Sequence, residues 1–256
     1  MNTAWIERWR AARRLRTSRH ARQLAALPPG LEAYWRRSAP QEYQGIPTDA
    51  FFFVRAAEGL MDFFDAVRRS GRACALPSDA ADSVWHAWLR HDPAGLARFC
   101  QAHFGRPVPH IEREGLGSGA LLHTLSACRS LDGARRSRQH LPALFRLDAA
   151  LRMPLGHGYR LHGGEIAYAR LDRQGYRTGW PAPHPGLTLQ ALYLAGAIDR
   201  TLLESHQRRA HRTDGGDGGA SSGCGSFAAA DGGSCSDGGG GSCGCSCGGG
   251  CGGGGD

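Results

Sequence analysis

Two groups of residues in this sequence have side chains suited to binding soft or borderline metal ions. The first group is four cysteines in the Gly/Ser-rich C-terminal segment: Cys243, Cys245, Cys247 and Cys251. The second group combines imidazoles with one thiol earlier in the chain: His86, Cys100, His103 and His110. Thiolate and neutral imidazole are ligands of Zn²⁺, and thiolates also select Cu⁺. The sequence therefore predicts a zinc or copper site in the tail, or a zinc site in the body.

The body group combines residues from one helix with residues from its neighbours. Cys100 and His103 are three positions apart, so they share a face of a predicted helix, while His86 and His110 would come from adjacent segments. Asp82 and His86 are four positions apart on another predicted helix. Such a carboxylate–imidazole pair can orient a catalytic base, but no nucleophile motif accompanies it. A metal-dependent enzyme built on these four ligands is therefore one hypothesis for the body.

The simpler interpretation of the same segment is structural. Trp85, Phe99, Cys100 and Phe104 have the spacing of core residues, and free cysteine is commonly buried. His86 would then hydrogen-bond to Asp82 or to a backbone carbonyl. In this interpretation the body has no catalytic residues.

The tail cysteines lie in a segment that cannot build a core. Residues 213–256 are mostly Gly, Ser and Asp, and glycine loses the most backbone entropy on ordering, so we expect this tail to be disordered. Its thiols could bind soft metal ions, form reversible disulfides, or be cyclised onto the backbone by modifying enzymes. The remaining alternative is a low-complexity segment without selected chemistry.

Charge divides the chain in the same place. The sequence contains no lysine, which with its Ala and Gly content suggests a GC-rich, bacterial genome, and its 31 basic residues are all arginines before the tail. Arg13, Arg14 and Arg16 lie in the densest basic stretch and are candidates for binding nucleic acid, anionic lipid or an acidic partner. The alternatives are a solvated helix face, or an acidic tail that folds back over the basic body.

The N-terminus has no apolar stretch of the kind that a secretory signal contains, and no apolar run is long enough to span a bilayer. We therefore expect a cytoplasmic protein without a membrane span. In that compartment thiols are mostly reduced, so clustered cysteines favour metal binding or redox responses over structural disulfides.

Hydrophobic spacing predicts a mainly α fold, with one helical domain over 1–212 followed by the tail over 213–256. Thr48 or Asp49, Ser78 and Asp92-Pro93 are expected to start helices, and Gly105 to end one. A small β-hairpin is expected near 159–178. The predicted helices are 3–27, 48–69, 78–90, 93–104, 120–131, 142–153 and 187–207, with a loop between the first two.

One segment resembles a known family. Residues 77–110 contain Pro77-Ser78, Asp82, Trp85-His86, Phe99-Cys100, Phe104-Gly105 and His110 in that order. This pattern, with the Gly/Cys-rich tail, is similar to the glycine-rich domain-containing protein-like family of plants and bacteria. That family often has a second histidine where this chain has Trp88. The resemblance implies a helical domain and no particular reaction.

Together these features favour a binding or interaction protein over an enzyme, with a tail that binds soft metal ions through thiolates. The alternatives from other classes are the metal-dependent enzyme and nucleic-acid binding through the N-terminal helix. Convergence of the body histidines and thiol on one point is the feature that would separate the first alternative from the others.

Overall fold

The computed structural model describes residues 3–111, 116–117, 119–132, 140–162, 165–180, 182–196, 198–201, 203–205 and 208. These residues form a mainly helical fold with a small antiparallel sheet, which confirms the predicted fold class. The tail over 213–256 lies outside the described residues. Within the described part of the chain, no helix is both long and apolar enough to cross a membrane.

The elements follow one another in a simple order. The helices are α1 (Thr3–Thr17), α2 (Ala21–Ala25), α3 (Leu31–Glu42), α4 (Ala50–Ser70), α5 (Asp79–His91), α6 (Pro93–Phe104), α7 (Ala120–Asp132), α8 (Leu147–Leu151) and α9 (Leu189–Leu194). The strands β1 (His157–His162), β2 (Glu165–Arg170) and β3 (Ala182–Pro183) pair antiparallel in chain order, and 3₁₀ turns precede α8 and α9.

Helix α4 forms the centre of the larger hydrophobic core. Its apolar positions are buried on nearly all sides, because it packs against α1, α5, α7 and α8. Asp49 caps its N-terminus by accepting a hydrogen bond from the Phe52 amide, as predicted. At Gly59 a Cβ atom would lie 2.2 Å from Leu147 Cδ2, so this glycine permits the close approach of α8.

The starts and ends of α5 and α6 confirm the predicted capping signals. Ser78 accepts a hydrogen bond from the Ala81 amide, and Asp92 accepts one from the Gly95 amide with proline at the next position. Gly105 ends α6 in the left-handed conformation that glycine adopts without a Cβ penalty. These caps fix the helix that carries Asp82 and His86, and the turn that leads towards His110.

The predicted helix over 3–27 is wrong in its length, because the chain turns between α1 and α2. Buried acids of α4 explain this turn. Glu58 accepts hydrogen bonds from Arg14 Nε (2.7 Å) and Ser18 Oγ (2.6 Å), and Asp62 contacts His20 Nε2 at 2.7 Å. A continuous helix could not bring all three donors to α4, so the chain breaks where these polar contacts form.

The loop predicted between residues 27 and 48 is also wrong, because it contains helix α3. Leu31, Trp35 and Ala39 are buried at four-residue spacing and pack against the core. Pro40 lies in the last turn of this helix. A proline near a helix C-terminus removes only one backbone hydrogen bond, so the buried face outweighs it.

A smaller hydrophobic cluster includes Tyr159 and Ile166 of the sheet, and the buried carboxylate of Asp148 links strand β1 to the start of α5. The hairpin predicted near 159–178 is present over 157–170, where Tyr159 pairs with Tyr168, and the connecting residues 163–164 lie outside the described part. Asp148 is buried and accepts hydrogen bonds from Ser78 Oγ (2.6 Å) and from the amides of Asp79, Ala80 and His157 at 2.8–3.0 Å.

Two predicted helices are shorter than the sequence spacing indicates. The stretch over 142–153 divides into a 3₁₀ turn, Ala143–Arg146, and the short helix α8, which ends at Arg152 in a left-handed conformation. The stretch over 187–207 is interrupted, because α9 ends before Gly196 at φ 68° and helical residues resume at 200–201 and 203–205.

Candidate functional site

Helix α5 and the segment after α6 bring three potential metal ligands together. Asp82 and His86 lie one turn apart on α5, and His110 follows α6. The Nε2 atoms of the two histidines are 3.0 Å apart. Asp82 Oδ2 lies 3.6 Å from His86 Nε2, and Asp82 Oδ1 lies 3.5 Å from His110 Nε2. We refer to these three residues as the Asp82–His86–His110 triad.

The two carboxylate–imidazole separations of the triad match the spacing of ligands around one small cation, whereas the two Nε2 atoms are closer together, at 3.0 Å. Imidazole nitrogens and carboxylate oxygens bind Zn²⁺ at about 2.0–2.2 Å in tetrahedral geometry, which places neighbouring donors about 3.3–3.6 Å apart. A set of two histidines and one carboxylate leaves coordination positions open, as catalytic zinc sites and non-haem iron sites do. The triad side chains are between 15% and 26% exposed, so an ion can reach them from solvent.

Glu42 at the end of α3 orients His86. Its carboxylate accepts a hydrogen bond from His86 Nδ1 and another from Arg90 Nη2 at 2.7 Å. Burial alone would raise the pKa of Glu42, but the hydrogen bonds from Arg90 and His86 outweigh it and hold that pKa below its ordinary range. Because Glu42 is ionised and accepts only, His86 carries its proton on Nδ1. The lone pair on Nε2 therefore faces the triad, as in carboxylate–histidine–zinc sites.

Tyr43 orients the carboxylate of the triad. Its hydroxyl donates a hydrogen bond to Asp82 Oδ2 at 3.0 Å. Burial, followed by the nearby charges of Asp82 and Glu42, raises the pKa of Tyr43 far above its ordinary value, so the phenol stays a neutral donor. Two residues at the end of α3 thus position two of the three triad members.

A cavity of about 530 Å³ opens beside the triad, and both Asp82 and His110 line it. Phe63, Val67 and Trp85 contribute apolar wall, with Trp85 packing edge-on against His110 at 4.6 Å between ring centroids. The volume lies within the range of small-molecule sites. An ion held by the triad would therefore face a space that accommodates an organic ligand.

The four body residues predicted as ligands separate into two pairs. His86 and His110 converge, and Asp82 joins them as the third member. Cys100 is fully buried in the core, and burial raises the pKa of its thiol to about 11. His103 packs against Phe99, with ring centroids 4.4 Å apart. Neither Cys100 nor His103 belongs to the ligand group found among the described residues, so the four-residue site is corrected to the triad.

The structural interpretation of this segment is also correct for its apolar members. Trp85, Phe99, Cys100 and Phe104 all belong to the larger core. Trp88, at the position where the resembling family often has histidine, is fully buried against Phe99 and contributes no ligand. The four predicted tail ligands, Cys243, Cys245, Cys247 and Cys251, lie outside the described residues.

The three arginines predicted to bind nucleic acid differ in their surroundings. Arg14 is held by the buried Glu58, while Arg16 is exposed. Arg13 is exposed and lies over the Trp9 ring at 5.8 Å. Trp5 and Trp9, which are four positions apart in α1, are 62% and 49% exposed. The outer face of α1 therefore carries two exposed aromatic rings and the exposed guanidinium groups of Arg13 and Arg16.

The sequence reasoning missed Glu42 and Tyr43. Both lie at the end of α3, the helix that was expected to be a loop, and nothing in their immediate sequence marks them as site residues. The available signal was the four-residue spacing of Leu31, Trp35 and Ala39. A helix predicted from that spacing would have ended near Glu42 and brought it into consideration.

The fold and site together define a helical domain with a His/Asp triad at the edge of an apolar pocket. Residues 41–176 match the family model described as UCP032817-like, and the chain belongs to that family. The matched range contains the triad, Glu42, Tyr43 and the pocket, whereas α1 precedes it. No curated protein and no solved structure matches the chain.

Proposed function

We propose that this protein is a metal-dependent hydrolase of the cytoplasm, which holds one divalent transition-metal ion, zinc being the first candidate, on the Asp82–His86–His110 triad. The observation that carries the proposal is the convergence of two imidazoles and one carboxylate at the edge of the pocket: the two Nε2 atoms are 3.0 Å apart, and each lies 3.5–3.6 Å from one of the two oxygens of Asp82. The Glu42 contact that fixes the His86 tautomer supports it independently.

The arrangement favours hydrolysis because three protein ligands leave room for water. Bound zinc lowers the pKa of a coordinated water to about 7, which supplies hydroxide at neutral pH. Asp82, His86 and His110 would hold the ion, and the ion would supply a water activated for attack on an electrophilic carbon or phosphorus of a pocket ligand. Tyr43 and Glu42 would hold Asp82 and His86 in place during this step. This proposal replaces the binding-only interpretation of the sequence.

The test is zinc binding by the full chain with its six tail cysteines changed to serine, so that thiolates cannot contribute. We expect one equivalent of zinc to bind, with the affinity reduced at least 100-fold by His86→Ala or His110→Ala. The matched control is His103→Ala, which removes a neighbouring histidine outside the triad. Equal affinities in all variants would refute the site, as would zinc binding that disappears with the tail cysteines.

A hydrolase additionally requires turnover. Zinc-loaded protein should hydrolyse an activated ester such as 4-nitrophenyl acetate faster than metal-free protein, and His86→Ala should remove the difference. Zinc binding without any zinc-dependent turnover of esters, amides or phosphoesters would leave a metal-binding protein and refute the catalytic part.

The exposed outer face of α1 favours a second function, the binding of single-stranded nucleic acid. Trp5 and Trp9 offer rings for base stacking, and Arg13 and Arg16 lie beside them to contact phosphates. Arg14 is excluded from this role because it bonds to Glu58.

This second proposal is tested with a 20-nucleotide single strand in a mobility-shift assay. The double variant Arg13→Ala/Arg16→Ala should weaken binding and flatten its salt dependence, whereas Arg36→Ala, which removes an exposed arginine of α3, should change neither. Binding that is unaffected by the double variant would exclude α1 as the contact surface.

We also retain the resemblance of residues 77–110 and the tail to the glycine-rich domain-containing protein-like family as a proposal about kinship. It rests on the Trp85-His86 and Phe99-Cys100 pairs and on tail composition. An alignment that places a His/Asp triad at the same positions in members of that family would support it, and one that leaves these positions unmatched would contradict it.

A further inference from the structure

The pocket beside the triad has an uneven distribution of charge. The two acids among its described lining residues already have partners: Asp79 contacts Arg170 and His157, and Asp82 accepts from Tyr43. Its two arginines, Arg72 and Arg106, have no carboxylate within 4.0 Å among the described residues. The wall therefore carries positive charge that the described part of the chain does not neutralise.

The side chain of Arg106 is held in place by a hydrogen bond to the backbone. One of its terminal nitrogens donates to the Val67 carbonyl at 2.7 Å, which fixes the guanidinium at the pocket wall. A guanidinium has five N–H donors, so this contact leaves others for a ligand. Arg72 also lines this pocket, and guanidinium groups are suited to carboxylate and phosphate oxygens.

A buried donor in the same wall lacks an acceptor. Trp85 is 4% exposed and lines the pocket, and its indole Nε1–H has no hydrogen-bond partner among the described residues. The indole of Trp35, by contrast, donates to Ser83 Oγ at 2.9 Å. The indole Nε1–H of Trp88, which does not line the pocket, also lacks a partner among the described residues, and the Nε1 atom of Trp85 is itself buried, so this donor does not define a ligand contact.

We infer that the pocket binds a small molecule that has an apolar body and an anionic group held by Arg72 and Arg106. The apolar body would contact Phe63 and Val67. The anionic group is a carboxylate or a phosphate, since both match the guanidinium geometry. This inference names the substrate class of the proposed hydrolase, and in that respect it rests on the proposed function.

The inference is tested by calorimetry with three probes on the full chain with tail cysteines changed to serine. The probes are 4-phenylbutyrate, phenyl phosphate and the uncharged 4-phenylbutanamide, each measured with metal-free and with zinc-loaded protein. We expect at least one anion to bind more than tenfold tighter than the amide in both states. Comparison of the affinities of the two anions shows whether the site prefers carboxylate or phosphate.

Substitutions test whether Arg72 and Arg106 cause the preference for an anionic probe over the uncharged amide. Arg72→Ala/Arg106→Ala should reduce the preference for the anion to less than threefold. Because Arg106 also bonds to Val67, the variant Arg72→Ala/Arg106→Lys keeps a charge at this wall and should restore part of it. Arg36→Ala, outside the pocket, should change nothing.

The outcomes separate this inference from the proposed function. Equal binding of anion and amide, or an anion preference that survives the arginine double variant in a folded protein, would overturn the inference even if zinc binds. Anion binding in a protein that fails to bind zinc would support the pocket assignment and remove the hydrolase. Thermal unfolding of each variant, measured alongside, identifies any loss caused by misfolding, and the lysine variant then decides the outcome.

Discussion

Replacing Glu42 by glutamine should weaken zinc binding at the triad. Glu42 accepts from His86 Nδ1 and from Arg90, and it holds the imidazole in the tautomer that leaves Nε2 available. Glutamine has the same shape, so its carbonyl oxygen can still accept from Nδ1. It carries no charge, however, and its amide group cannot accept from Arg90. The variant therefore weakens the orientation of His86 without removing a ligand.

The magnitude follows from the exposure of this contact. Loss of such an orienting partner typically reduces metal affinity 10- to 100-fold. The Glu42 side chain is 31% exposed, so solvent screens part of the interaction and the lower half of that range applies. We expect a decrease of about 10- to 30-fold, which corresponds to about 1.4–2 kcal/mol.

The assay is competition for zinc against a chromophoric chelator at pH 7.5, with the tail cysteines changed to serine. Glu32→Gln is the matched control, because it removes an equivalent charge from α3, where Glu32 pairs only with the exposed Arg36. An affinity unchanged in Glu42→Gln, or a loss of the same size in Glu32→Gln, would refute the orienting role of Glu42.

Three other outcomes are expected from groups outside the triad. Asp148→Ala removes the acceptor of four hydrogen bonds, so the free energy of unfolding in urea should fall by about 3–5 kcal/mol, and a change below about 1 kcal/mol would contradict its role. Burial alone would raise the pKa of Asp79, but interactions with His157 and Arg170 hold it below its ordinary 3.8. Its ionised form therefore stabilises the fold above about pH 5, and this contribution is lost as the pH falls through and below 3.8. The variant Asp79→Asn should lose less of its free energy of unfolding between pH 5 and 3 than the original protein does. The same dependence on pH in both proteins would argue against this linkage. Burial raises the pKa of Cys100 to about 11, so iodoacetamide at pH 8 should modify it on the order of 100-fold more slowly than a free thiol, and rapid labelling would show that it is accessible.

Local sequence signals predicted the part of the fold that the site depends on most. Ser78 and Asp92 start α5 and α6 as expected, because capping by a side chain depends on only a few neighbouring residues. The helical spacing also placed Asp82 and His86 on one face of α5. These features are local, so one sequence contains enough information to find them.

The remaining site residues depend on contacts between distant segments. His86 meets His110 only because α6 reverses the chain at Gly105, and Glu42 reaches His86 across 44 residues through the packing of α3 on α5. The spacing of Cys100 and His103 was locally correct for a shared helix face. It could not show that Cys100 faces the core, because burial is decided by the neighbouring helices. The exposure of Trp5 and Trp9 follows from the same cause: contacts to Glu58 determine which face of α1 packs inward.

The central claim is that two imidazoles and a carboxylate, rather than thiolates, hold the metal ion. X-ray absorption spectroscopy at the zinc edge tests this claim directly. The sample is the full chain with its tail cysteines changed to serine, loaded with one equivalent of zinc. The account predicts a first shell of nitrogen and oxygen at about 2.0–2.1 Å with imidazole scattering, lost in His86→Ala and kept in His103→Ala. A sulfur shell at about 2.3 Å, which the buried Cys100 could supply, or a shell unchanged by His86→Ala, would contradict it.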